Sequence, residues 1–190
     1  MSTQQIHQLQ ASYSPGEDRI LLKFNTTDGV EFQFWLTRLF IKKFWPNLVN
    51  TMEVNVQQQA ANPESAINSD ANIKEQVLGF MHQSAVENAN FSTDFEPSKA
   101  PCPLGEEPIL VHRAGLYAKG VNSFTLSLHP EEGYGVELGV DQNLLHLLSK
   151  LIHDAVAQID WGLTIQIPGV DGDSDDAASE DDEQQVRQLH

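Results

Sequence analysis

From Arg19 to Leu36 apolar and polar residues alternate in two runs. Ile20, Leu22 and Phe24 share one face of a strand, and Val30, Phe32, Phe34 and Leu36 share one face of the next. Between the runs stands Asn25-Thr26-Thr27-Asp28-Gly29. Asp-Gly in that position predicts a hairpin, because glycine supplies the positive φ that closes the loop. Thr37 is placed to cap a helix, its hydroxyl accepting from the first free amides. Phe40, Ile41, Phe44, Leu48 and Met52 follow at helical spacing.

The pattern returns 104 residues later, without a gap. Ile20, Leu22 and Phe24 become Phe124, Leu126 and Leu128; Asp28-Gly29 becomes Glu132-Gly133. Val30, Phe32, Phe34 and Leu36 become Tyr134, Val136, Leu138 and Val140, and the cap Thr37 becomes Asp141. Phe40, Ile41, Phe44 and Leu48 become Leu144, Leu145, Leu148 and Ile152, while upstream Tyr13 lands on Tyr117. Eleven apolar pairs fall in the 29 columns from 20 to 48, against roughly five expected by chance. The match predicts an internal pseudo-repeat of two β-β-β-α units around a shared core, an α+β fold.

The remaining stretches fill in that frame. Residues 4 to 14 read as a first strand, closed by the turn Ser14-Pro15-Gly16. Pro46 lacks the amide that would bond to Lys42, which predicts a kink or restart near Trp45. The first unit is assigned to 1–57. Asn62-Pro63-Glu64 reads as a cap followed by proline at the first helical position, and a peripheral helix is assigned to 58–91 with the stripe Ile73, Val77, Phe80, Met81 and Ser84. Pro97, Pro101, Pro103 and Pro108 make 92–108 an extended linker. The second unit covers 109–169, its helix running from Asp141 to about Ile159, with Leu163, Ile165 and Ile167 as one more strand. Residues 170–190 read as a disordered acidic tail.

Charge and composition narrow the function. The chain has 190 residues, 40% of them apolar, and a net charge of −16. Eight acids and one arginine lie between Asp171 and His190, and the other 170 residues still carry −9. That balance disfavours broad nucleic-acid binding and anionic membranes. The start has neither a basic run nor an apolar core, so no secretory signal is expected. No apolar run approaches the ~20 residues that span a bilayer, and the expected location is the cytoplasm. Cys102 is the only cysteine, so neither an internal disulfide nor a cysteine-rich zinc site is expected.

Candidate chemistry is sparse. Residues 1–52 hold four acids and five bases, a net of +1 in an acidic chain. Arg19, Lys23 and Trp35 are expected on the outer face of the first hairpin, with Arg38, Lys42 and Lys43 nearby on the helix, as an interaction surface. An aromatic among bases on a sheet can also stack a base of a single strand. His146, Lys150, His153 and Asp154 lie on the last helix. Histidines seven apart are too distant to chelate one ion by themselves, so a solvated flank is expected there. Asp171-Gly172-Asp173-Ser174-Asp175 imitates the opening of a calcium loop, yet Asp176 stands where glycine should and Asp182 where glutamate should. No catalytic or nucleotide-binding fingerprint occurs, and no cofactor is expected.

Glu17 to Phe24 (E-D-R-I-L-L-K-F) and Glu31 to Arg38 (E-F-Q-F-W-L-T-R) resemble a pattern in a group of uncharacterised bacterial proteins. The resemblance covers about a fifth of the chain and implies a bacterial cytoplasmic origin, with no known activity. A duplicated sheet-plus-helix unit with an acidic tail is also similar in plan to the Whirly and Pur-type single-strand binders, whose units carry four strands where three are counted here. Together the readings lean away from an enzyme. They point to a protein-interaction or adaptor module, with a second copy of the chain as one candidate partner, and to single-strand binding as the alternative.

Overall fold

The computed structural model describes residues 4–60, 71–91, 93–97 and 102–170. It is a mixed α+β fold. The strands are β1 (Gln4–Ser14), β2 (Arg19–Thr26), β3 (Glu31–Leu36), β4 (Ile109–Leu110), β5 (Arg113–Gly120), β6 (Ser123–His129) and β7 (Val136–Asp141). The helices are α1 (Arg38–Ala60), α2 (Ala71–Glu87) and α3 (Gln142–Ala157). The cap at Asn62 and the tail from Asp171 lie outside the described residues.

Alternation fixes the inner faces of both hairpins. Across β2 and β3, Ile20 lies opposite Leu36, Leu22 opposite Phe34 and Phe24 opposite Phe32. Across β6 and β7, Phe124 lies opposite Val140, Leu126 opposite Leu138 and Leu128 opposite Val136. All twelve side chains are buried in one core. Each second pair is the first shifted by 104. The closing glycines, Gly29 and Gly133, both take positive φ, at 75° and 94°. The caps correspond too: Thr37 Oγ1 accepts from the Phe40 amide at 3.1 Å, and Asp141 Oδ1 accepts from the Leu144 amide at 2.8 Å.

Both seams between the hairpins are parallel, but they match with a slip of one residue: Gln4–Leu138 shifted by 104 would place residue 108 beside Phe34, and Phe34 pairs with Ile109. The strand order is β4-β3-β2-β1-β7-β6-β5. β1 meets β7 in parallel at Gln4–Leu138 and Gln5–Gly139, and β4 meets β3 in parallel at Ile109–Phe34 and Leu110–Trp35. Only Val111 and His112 separate β4 from β5 in the chain, although these are the two ends of the strand order. The Val111 amide bonds to the Trp35 carbonyl at 3.0 Å and the His112 amide to the His129 carbonyl at 2.9 Å. The sheet therefore curls until its ends meet, and three helices cover what the seams leave open. α3 packs on β1 and β7, α1 on β5, and α2 on both other helices.

One match does not carry over. Tyr13 lies opposite Ile20, whereas Ala118 lies opposite Phe124 and Tyr117 opposite Thr125. β5 is thus slipped by one residue relative to β1, and a slip of one turns every side chain to the other face. Tyr117 points outward, 59% exposed, with its ring over Gly115. In β1 a bulge between Ile6 and Gln8 lets Ile6 and Leu9 both reach the interior. There they line an apolar void of about 10 Å³ with Leu22, Phe24, Leu126 and Val140.

The helices depart from expectation in three ways. α1 neither breaks nor restarts at Pro46 and runs on to Ala60. Ile41, Phe44, Trp45, Leu48, Met52 and Val56 anchor it on both sides of the proline, which sits on the exposed side where the Lys42 carbonyl can be hydrated. Its polar end is tied down as well: Asn55 Nδ2 donates to Asn122 Oδ1 at 3.1 Å and Gln59 Nε2 to the same oxygen at 2.8 Å. On α2 the buried stripe is Leu78, His82 and Ala85, leaving Ile73 and Phe80 exposed. Leu163 to Ile167 forms no strand; it crosses the helices with only Ile167 fully buried.

Because the two caps occupy matching places, Thr37→Ala and Asp141→Ala should cost similar stability, about 1 kcal/mol each. Phe34→Ala, in the fully buried row, should cost about 3–5 kcal/mol. Urea denaturation of the three variants measures this, and unequal cap costs would separate the two units energetically.

Candidate functional site

The outer face of the first hairpin carries Arg19, Leu21, Lys23 and Asn25 from β2 and Glu31, Gln33 and Trp35 from β3. It is not open along its length. The segment 93–97 crosses it: Asn25 Nδ2 donates to Gln8 Oε1 at 3.2 Å and to the Glu96 carbonyl at 2.6 Å. The Glu96 amide returns to Gln8 Oε1 at 3.2 Å. Asn25 and Glu31 are buried beneath it, at 6% and 4% exposure. Glu31 accepts from Gln33 Nε2 at 2.8 Å. Cys102 lies by the same face. Burial first, then Glu31 and Glu106, push its thiol pKa up against the opposing pull of Lys23, so the thiolate needed for nucleophilic work is disfavoured.

The six expected surface residues fall into two groups. Lys23 and Trp35 are half-buried on the outer face. Arg19 is half-buried at its edge, 3.6 Å from Glu17. Arg38, Lys42 and Lys43 are exposed on α1. That helix buries its other side against the inner face of the sheet, so the two groups look in different directions. Leu39 stands among the helix cations, 60% exposed, one turn before Lys42 and Lys43. A leucine flanked by three cations on one helical face is apolar and positive at once, within an acidic protein.

Arg38 also borders a knot that fixes the end of the fold. Asp18 sits in the β1–β2 turn at φ 49°, a left-handed conformation that aspartate tolerates. Its Oδ1 accepts from the Trp161 indole at 2.7 Å and from the Tyr13 hydroxyl at 2.9 Å, with the two rings edge to face at 6.1 Å. The Trp161 bond first, then Tyr13 and the Arg38 charge, hold the Asp18 carboxyl below its usual range; slight burial opposes them. From this knot the chain crosses α1, where the Trp45 indole donates to the Gln166 carbonyl at 3.1 Å. It reaches α2, where the Gly169 amide donates to Glu75 Oε1 at 3.2 Å. Gly79 is needed there, because a Cβ would lie 2.3 Å from the Gly169 carbonyl oxygen. These bonds to the helices explain why 163–167 does not join the sheet.

His146 is not on a solvated flank. It is 1% exposed and packs edge-on against His82 of α2, with ring centroids 5.6 Å apart. Burial, then the neighbouring His82, lower its pKa to about 4. His82 has a trace in the sequence after all: Leu78, His82 and Ala85 fall at spacings of four and three, a buried stripe that includes a histidine. On α3 Lys150 pairs with Asp154, and the His153 ring lies 6.2 Å from the Trp45 ring. Among the described residues no three His, Cys, Asp or Glu side chains are grouped to hold a metal ion. No described helix is long and apolar enough to cross a membrane. No family model, curated protein or solved structure matches the chain.

The Asp18 knot has a pH signature. Its folded pKa is lowered, so its contribution is present above the ordinary carboxylate value of 3.8 and lost as pH falls through the lower folded value. Trp161→Phe removes the first of its bonds. The stability gap between wild type and Trp161→Phe should hold steady above about pH 5 and narrow below pH 4, as read by urea denaturation across that range.

Proposed function

We propose that this is a non-enzymatic cytoplasmic interaction protein, built from two copies of one β-β-β-α module, that engages a protein partner through the first turns of α1. The hairpin registers and caps that match at an offset of 104, and the parallel seams that repeat with a slip of one residue, support the duplication. The exposure of Leu39 between Arg38, Lys42 and Lys43 carries the interaction reading. An isolated exposed leucine is ordinary, but three cations around it favour a partner with an apolar recess rimmed by carboxylates. A second copy of this acidic chain is one such partner. Arg19, Lys23 and Trp35 are left as the edge of a surface that the linker partly covers.

Single-strand binding remains the second reading, favoured by the same three cations on one helix. Three phosphate contacts would give a salt slope of about −2 on a single strand.

A photoreactive phenylalanine placed at position 39 should crosslink to a protein partner, and the reversal Lys42→Glu/Lys43→Glu should reduce that adduct about tenfold. A probe at the exposed Glu132 serves as control. An adduct indifferent to the reversal, or turnover of a metabolite by the purified protein, overturns the proposal. For the second reading, no retention of a labelled single strand by residues 1–170 at low salt ends it.

A further inference from the structure

Charge is unevenly divided along this chain. Residues 1–52 carry a net +1, whereas residues 53–170 carry fifteen acids against five bases. Residues 171–190, outside the described residues, carry eight acids against one arginine. A segment of such charge is repelled by an acidic surface and drawn to the place where cations gather. The start of α1 is such a place. Arg38, Lys42 and Lys43 are exposed around Leu39, and the exposed positions of the next turns, Pro46, Asn47 and Asn50, are uncharged. Asp18 offsets part of the Arg38 charge; Lys42 and Lys43 stand a turn further along.

The fold delivers the acidic segment to that face. A Cβ on Gly162 would lie 4.0 Å from the Arg38 guanidinium. Four residues on, the Gln166 carbonyl accepts from the Trp45 indole at 3.1 Å, and Trp45 is one helical turn beyond Lys42. The Val170 amide then turns back onto the Ile167 carbonyl at 3.1 Å. These bonds put Asp171 within about 20 Å of the Trp45 indole. From Asp171 to Glu183 the chain can span up to about 40 Å, enough to lay acids beside all three cations. The composition fits as well. Ala177-Ala178 is a small apolar step between Asp175-Asp176 and Glu180-Asp181-Asp182-Glu183, the complement of a leucine set among cations.

We propose that residues 171–190 act as a built-in competitor: they fold back on Arg38, Leu39, Lys42 and Lys43 and must be displaced before a partner protein binds there. This regulation rests on the reading of that face as an interaction surface; the docking itself has its own readout. Exposed ion pairs are weak singly. Covalent attachment makes their encounter intramolecular, with an effective concentration on the order of millimolar. Two alanines cover a leucine less well than an apolar recess does. A well-matched partner therefore displaces the segment, while an acidic protein without the recess does not, and the competitor sharpens selection.

The photoreactive phenylalanine at position 39 of the full-length protein tests this. Irradiated without any partner at about 0.1 M salt, it should form an intrachain adduct that mass spectrometry of the monomer band maps to residues 171–190. At 1 M salt the Debye length falls from about 10 Å to about 3 Å, and the adduct should fall at least about fivefold. The reversal Lys42→Glu/Lys43→Glu should lower it about tenfold. A synthetic peptide of residues 171–190, supplied in trans, provides a defined competitor. A variant with the eight acids of 171–183 replaced by their amides should capture that peptide at position 39 at least about threefold better than wild type does. The fold-back is overturned by an adduct that maps elsewhere or joins two chains, by one indifferent to salt and to the reversal, or by equal peptide capture in the two proteins. A partner adduct with no intrachain adduct removes the competitor and keeps the partner; an intrachain adduct with no partner adduct upholds the docking and removes the partner.

Discussion

The inward rows of the two hairpins must share one interior, and the rest of the structure follows from that constraint. Ile20, Leu22 and Phe24 face Leu36, Phe34 and Phe32 in one hairpin, as Phe124, Leu126 and Leu128 face Val140, Leu138 and Val136 in the other. A three-stranded sheet with such a face cannot stand in water. At about 1.5–3 kcal/mol for each large side chain buried, covering twelve of them outweighs any local preference in the connections. Two parallel seams of two residue pairs each are enough to curl the sheet. The apolar faces of the helices that follow each hairpin then complete the enclosure.

The seams explain a feature that looks odd in isolation. β4 and β5 are nearly continuous in the chain yet lie at opposite ends of the strand order. Together they match β1, which also pairs in parallel at its beginning with one unit and antiparallel along its length with the other. A first strand that bonds to both units joins them at each seam, so neither unit closes its own sheet. The third helix breaks the correspondence. α2 has no counterpart, and what holds it is less apolar than the rows beneath: a histidine pair, an alanine, a leucine and a glycine crossing.

Period two was legible in the sequence and period three and a half less so. Both hairpins, both caps and the glycine turns could be read because alternation, Asp-Gly and a capping hydroxyl or carboxylate act locally. Tyr117 could not be placed, because a slip of one residue in β5 leaves its own alternation intact and reverses its meaning. The stripe on α2 was read one position off its true face: Ile73 and Phe80 look like anchors by hydrophobicity, whereas His82 is the buried side chain. The end of α1 was missed because Asn55 and Gln59 fasten it to Asn122 by polar bonds, which carry no periodic signal. Leu163 to Ile167 alternates like a strand, but the Gln166 carbonyl is taken by the Trp45 indole and the Gly169 amide just beyond it by Glu75, which hold the segment on the helices.

The candidate surface shows why function is harder to read than fold. An inner face is specified by its own residues, since apolar side chains have one destination. An outer face is specified by whatever crosses it later. Lys23 and Trp35 have the composition of a binding face, yet Gln8 and Asn25 bond the linker backbone across the neighbouring rungs. A contact of such sequence separation is invisible to any local pattern. Arg38, Lys42 and Lys43 escape covering because the helix that carries them turns its other side inward. Their exposure therefore follows from the same inward-facing rows that build the core, with the buried face of α1 deciding which of its side chains remain available to a partner.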